Sequence, residues 1–176
     1  MADSLWRIAL RGAYVLLRAW WWLRRPTVRG AYVAVWCGDR LLLVRNSYRS
    51  GETVPCGAVK RAERPAQAAV RELFEEVGID VPEAVLRFAR EVVVEFENKA
   101  DHAHFFELRV TPEPAVRIDR REVVWAGFVP RSKLRERPLL PHLRGYLDGL
   151  DGLDGLGAPA PGSKAHEARA RSQSAL

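Results

Sequence analysis

The chain is 176 residues long and 48% hydrophobic, enough for one domain with a substantial core. Its two cysteines, Cys37 and Cys56, exclude a disulfide scaffold and point to a reducing, cytoplasmic setting. The net charge of +6 raises nucleic acid as a partner, but in residues 1–30 Arg7, Arg11, Arg18, Arg24, Arg25 and Arg29 stand against Asp3 alone, and no base-stacking or groove-reading motif accompanies them, which argues against it.

The first segment, residues 1–27, reads as a basic and aromatic amphipathic helix. In LWRIALRGAYVLLRAWWWLRR, Leu5 to Arg25, the arginines Arg7, Arg11, Arg18 and Arg25 fall within roughly 40° of one another at helical spacing. Spanning a membrane would bury Arg11 and Arg18 in hydrocarbon at roughly 2.5 to 3.5 kcal/mol each, and a secretory signal lacks both an uninterrupted apolar region and a cleavage site. Two readings stay open. Residues 5–25 lie in the plane of an anionic membrane surface, peripheral at its inner face, with Trp6, Trp20, Trp21 and Trp22 at the boundary. Otherwise they bury their apolar side on the domain or across a homodimer.

From Arg29 the pattern turns β-rich. Ala31 to Cys37 and Arg40 to Arg45, separated by Gly38-Asp39, read as a hairpin. Arg45 and Arg49, leaving the second run, and Lys60 in the next loop are candidate contacts for substrate phosphates, against the plainer reading of solvated strand-end charges.

Gly57 to Ile79, GAVKRAERPAQAAVRELFEEVGI, holds the dense carboxylate group of the chain. Pro65 suits a first helical position and Gly78 the residue past a helix end. Within that helix Glu72, Glu75 and Glu76 share one face, while Ala66, Val70, Leu73, Phe74 and Val77 form an apolar one. Like charges at this spacing destabilise a helix unless a counter-charge is bound. Oxygen-only ligation without nearby His or Cys favours Mg2+ or Mn2+ over zinc, and Mg2+ completes its shell with water and substrate phosphates. A plain acidic surface helix is the alternative.

Gly57, five residues, Glu63, seven residues and then Arg71-Glu72-Leu73-Phe74-Glu75-Glu76-Val77-Gly78-Ile79 resemble the Nudix box, with every defining position filled. The resemblance implies a hydrolase that cleaves a phosphoanhydride in a small-molecule diphosphate, a nucleoside diphosphate linked to a moiety X or a related organic diphosphate, by water attack on phosphorus with a divalent metal. It assigns Glu72, Glu75, Glu76 and the Gly57 carbonyl to Mg2+ or Mn2+, with one of the glutamates also a candidate general base. Arg71 joins this catalytic set by orienting the cluster through Glu72 or Glu75, and Glu63 ties the loop to the helix. Relatives often add a carboxylate from outside the box, for which Glu95, Glu97, Asp101, Glu107 and Glu122 are eligible; Glu122 is the first to test.

The departures lie in the loop before the helix. Relatives often read Pro-Gly-Gly-Gly and carry Gly before the first Glu, whereas this chain has Pro55-Cys56-Gly57-Ala58 and Ala62. Each lost Gly removes easy access to positive φ, so a stiffer or reshaped loop is expected. Cys56 has no His near it in sequence to activate a thiol.

Beyond the box, Leu86 to Phe96, His104 to Val110 and Val123 to Val129 are strand candidates, with a polar loop expected at Asn98 to His102. His102 and His104 lack a third zinc ligand. A closing helix is expected around His142 to Leu147, and residues 148–176, beginning with repeated Asp-Gly-Leu, read as a disordered tail. The order of elements over residues 28–147 resembles the Nudix α/β/α sandwich with a mixed sheet, where periodicity alone gives only α/β or α+β. Two functions fit: the metal-dependent diphosphatase, or a catalytically weak Nudix module that binds a nucleotide as a sensor or partner-binding domain.

Overall fold

A central strand apolar on both faces dictates a cover on both sides. The computed structural model describes residues 2–154. In chain order its elements are α1 (Ala2–Arg24), β1 (Thr27–Cys37), β2 (Arg40–Asn46), β3 (Cys56–Ala58), α2 (Pro65–Val77), a 3-10 turn (Glu83–Val85), β4 (Arg87–Phe96), β5 (Lys99–Arg109), β6 (Val123–Pro130), α3 (Arg131–Leu134) and α4 (Pro141–Asp154). Along β1, Ala31, Val33 and Val35 meet Ala68, Ala69, Leu73 and Val77 of α2. The alternate residues Tyr32, Ala34 and Trp36 meet Leu143 and Tyr146 of α4. The expected α/β/α sandwich is present.

The sheet is mixed, in the order β4-β5-β1-β2-β6, with β1 and β5 parallel and the other pairings antiparallel. β1 and β2 pair only at Trp36 with Leu41 and Cys37 with Arg40, then diverge. β3 pairs with the other half of β1, setting Gly57 opposite Ala31. That insertion carries the loop before α2 onto the edge of a cavity.

Sequence periodicity places the elements but misses some of their ends and faces. The polar loop expected at Asn98 to His102 is a tight turn at Glu97 and Asn98, whose φ values of 53° and 63° suit a hairpin turn, and Lys99 to His102 belong to β5. Phe74, expected on the core face of α2, is 55% exposed. The buried stripe instead runs through Ala68, Ala69, Leu73, Glu76 and Val77, because the helix turns its acidic side inward against β3. Residues 148–154, expected at the start of the tail, are helical instead: α4 continues to Asp154, with Leu147 and Leu150 packed on the core and Asp151 accepting hydrogen bonds from Arg131 and Arg135. The rest of the expected tail, 155–176, lies outside the described residues.

The orientation of α2 makes neighbouring residues unequal. Leu73→Ala should cost about 2–5 kcal/mol, as for a fully buried leucine, whereas Phe74→Ala should cost less than about 1 kcal/mol. Denaturant midpoints of the two variants check this, and equal losses would contradict the helix orientation described.

Candidate active site

α2 begins at Pro65, with the Arg64 backbone N–H donating to Gln67 (3.0 Å), and ends where Gly78 takes φ 70° and donates to the Phe74 carbonyl (3.0 Å). Those ends set the span of the helix, and packing against β3 sets its rotation, which points Glu72 at Gly57. A Cβ placed on Gly57 would overlap the Glu72 carboxylate, so only glycine lets strand and side chain approach this closely. Glu76 lies deeper and is almost fully buried, accepting hydrogen bonds from the Cys56 N–H (2.9 Å) and the Asn46 side chain (3.3 Å).

Arg71 binds this cluster together. Its guanidinium donates to both carboxylate oxygens of Glu63 (2.9 and 3.0 Å), to Glu72, to Glu75 (3.2 Å) and to the Ala58 carbonyl (3.1 Å). Glu63 also accepts the Lys60 N–H at 2.9 Å, so it joins the loop to the helix. Hydrogen bonding to Arg71, backed by the Lys60 N–H, pulls the Glu63 carboxyl down to about 2. Glu72 and Glu76 move the other way. Burial raises both, Glu76 well above the usual range, with Arg71 opposing the rise at Glu72 and the Cys56 N–H opposing it at Glu76. The neighbouring Glu122 charge raises both further.

Glu72, Glu75 and Arg71 border a cavity of about 540 Å³, with Glu76 buried behind its wall, a size that suits a nucleotide-like ligand. Glu72, Glu75, Arg71 and Gly57 form its acidic end, and Lys60 and Glu122 also reach it. Tyr48 donates to Glu122 at 2.9 Å. Arg45 does not enter the cavity: on β2, Val44 and Asn46 face α2, so alternation turns Arg45 to the opposite side, over the Trp125 ring at 5.8 Å. Arg49 lines the cavity instead. Of the other carboxylates considered, Asp101 lines the cavity and Glu97 holds Tyr14, while Glu107 is buried against Tyr146 and Glu95 is exposed. His102 is engaged with Glu91 at 2.6 Å.

α1 supplies the wall that sequence reading left open. Leu10, Ala13, Tyr14, Leu17 and Trp21 line the same cavity. Arg7 donates to the Arg120 carbonyl (2.7 and 2.9 Å), Arg11 to the Ser47 carbonyl (3.0 Å) and Arg49 to the Tyr14 hydroxyl (2.9 Å), while Lys99 sits over the Trp21 ring at 4.8 Å. Burial, reinforced by the Glu97 hydrogen bond, pushes the Tyr14 hydroxyl up to about 12. Tyr14, Tyr32 and Tyr48 at this site were not legible as site residues, since no motif marks them. A larger concavity of about 720 Å³ lies beside α3 and α4, away from the acidic helix, and its Arg131 and Arg135 are paired with Asp151.

The donor set fits a hard divalent cation: buried and half-buried carboxylates crowded on one helix beside a backbone carbonyl, with ionisation disfavoured by burial. Among the described residues no three acidic, His or Cys side chains converge as they stand, because Arg71 occupies Glu72 and Glu75 while Asn46 and Cys56 hold Glu76. Burial, and then Glu76, push the Cys56 thiol well above its ordinary value, which disfavours a nucleophilic thiolate there.

Ala62 adopts φ 65° even though it is not glycine, so the loop keeps a left-handed turn and stores strain in it.

The family model for the NUDIX domain matches residues 26–149. No curated protein matches the sequence. Among solved structures, the MutT protein from Methanosarcina mazei Go1 superimposes with a TM-score of 0.64 at 22% identity, over 74% of this chain and 96% of that one. The NUDIX domain of Shewanella oneidensis NrtR, complexed with ADP ribose, gives 0.62 at 16% identity over 72% and 88%. A bifunctional NMN adenylyltransferase/ADP ribose pyrophosphatase from Francisella tularensis, complexed with AMP and a Mn ion, gives 0.61 at 20% identity, over 84% of this chain and 48% of that one.

Because the folded-state carboxyls of Glu72 and Glu76 lie above their usual value of 4.5, the native state holds more protons than the unfolded chain above that pH. Stability in metal-free buffer should therefore fall as pH rises from about 4.5. Glu76→Gln should flatten that fall, as read by thermal midpoints across pH; parallel curves for variant and parent would contradict it. Ala62→Gly should raise stability by about 0.5–1 kcal/mol, the relief of left-handed strain less the added freedom of the unfolded chain, measured by denaturant unfolding.

Proposed function

Since the chain belongs to the Nudix family, shown by the family match over residues 26–149, we propose that it hydrolyses a phosphoanhydride bond in a small-molecule diphosphate, dependent on Mg2+ or Mn2+. The observation that carries this reading is one cavity lined by Glu72, Glu75 and Glu122 together with Lys60, Arg49 and Arg71. Acidic groups for a cation and basic groups for phosphate oxygens converge there, as phosphoryl transfer requires. Glu72, Glu75, Glu76 and the Gly57 carbonyl would hold the metal. When bound, it neutralises charge on the phosphate oxygens and lowers the pKa of an attacking water.

The chain's own residues position and exclude. Arg71 keeps Glu72 and Glu75 directed at the cavity while its remaining donors pin the loop through Glu63 and Ala58. Lys60 and Arg49, which line the same cavity, would offer cationic contacts to phosphates. Glu122, held by Tyr48, would accept a proton or join the metal set. Tyr14, Tyr48 and Trp21 leave aromatic surface for the moiety X, which suits a ring system.

A second reading, a nucleotide-binding module of weak activity, is favoured by one observation: all three helix carboxylates already have hydrogen-bond partners. Phosphate release from nucleoside triphosphates, nucleotide sugars, ADP ribose, dinucleotides and prenyl diphosphates, with Mg2+ or Mn2+, decides between the two. Turnover of one substrate class is expected, with loss of at least about 100-fold in Glu75→Gln and Glu76→Gln and none of comparable size in Arg45→Gln. Calorimetric binding without turnover would overturn the hydrolase reading.

A further inference from the structure

α1 carries two faces of different character. The inner one, through Arg7, Leu10, Tyr14 and Trp21, is the cavity wall already described. On the opposite side Leu5, Ile8, Val15, Leu16, Trp22 and Leu23 are 65–73% exposed. At about 100° per residue these six fall in a sector roughly 120° wide that also holds Gly12 and Ala19 and no charged residue. Trp22 lies on one border of the sector and Trp20, then Trp6, on the other. Arg11 and Arg18 come next beyond Trp22, and Arg24 lies level with Trp6. The order across the helix surface is apolar centre, tryptophan border, arginine rim.

An apolar strip on a helix about 35 Å long is too large to leave in water without an occupant. No helix among the described residues is long and apolar enough to cross a membrane. A second copy fits poorly, because residues 4–30 contain no Asp or Glu and pairing two such helices would set arginine rims against each other uncompensated. An anionic lipid surface answers each feature: acyl chains for the apolar centre, the interface for the tryptophans and headgroup phosphates for the arginines.

We propose that α1 docks this outer face on an anionic lipid bilayer, lying in the membrane plane with the catalytic cavity on its inner side. The proposal stands on the helix alone and does not depend on turnover. The test uses the full chain with phosphatidylcholine vesicles, with and without phosphatidylglycerol, read by co-flotation and by tryptophan emission. The parent protein floats with the anionic vesicles and its emission shifts to the blue. Leu5→Ser, Leu16→Ser and Leu23→Ser together weaken binding at least about tenfold, and Arg18→Gln with Arg24→Gln weakens it by a similar factor at low salt. Circular dichroism and thermal midpoint stay unchanged in both, and Glu75→Gln still binds, which separates this surface from the catalytic reading. A parent protein that stays in solution, a triple variant that binds as tightly as the parent, or equal binding to neutral vesicles would overturn the proposal. So would a concentration-dependent dimer that forms without lipid binding and is lost in the triple variant, which would assign the face to a second copy.

Discussion

One guanidinium holds the acidic centre of this protein together. Arg71 reaches Glu63, Glu72, Glu75 and the Ala58 carbonyl, which belong to the loop, the helix and β3. Crowded carboxylates at i, i+3 and i+4 repel, and burial raises the cost of keeping Glu72 and Glu76 charged. A planar fork with five donors can satisfy four acceptors at once, where the compact ammonium of a lysine cannot. Loop and helix are therefore one electrostatic unit before any metal is considered.

That unit constrains the sheet. Glu72 occupies the space a side chain at residue 57 would need, so Gly57 must run directly beneath it. For Gly57 to be there, β3 has to pair with β1, and for β3 to pair, β2 has to leave β1 after Trp36 and Cys37. The cavity opens beside this divergence, with Asn46 at the end of β2 reaching Glu76 and Tyr48 just beyond it reaching Glu122. A requirement of one carboxylate thus becomes a property of strand order.

The sequence made the acidic helix, its caps and its three glutamates readable, since Pro65, Gly78 and the carboxylate spacing are local signals. It also made β1 and β2 readable as strands turning at Gly38-Asp39. What it hid depends on rotation and distant pairing. Phe74 and Glu76 exchange the places their chemistry suggests, because tertiary contact with β3 sets which side of α2 is buried. Arg45 and Arg49 look equivalent in the chain, yet the alternation of β2 turns Arg45 away over Trp125, while Arg49, in the segment beyond the end of β2, lines the cavity. Ala62 was expected to alter the loop by lacking glycine's freedom; the fold imposes positive φ on it anyway, at the cost of local strain.

The family match begins at residue 26, after α1, while the cavity does not. Both layers of the sandwich and every Nudix-box residue lie within the matched part, so the fold accounts for the acidic end of the site without the first helix. The opposite wall, Leu10, Tyr14, Leu17 and Trp21, is drawn from outside it and is tied down mainly by polar contacts from Arg7, Arg11 and Tyr14. Two chains sharing this sandwich and box but differing before residue 26 would offer a ligand the same carboxylates at one end of the cavity and a different surface at the other. Under the proposed hydrolase function, the matched domain answers for the bond that is broken and α1 for the group beside it.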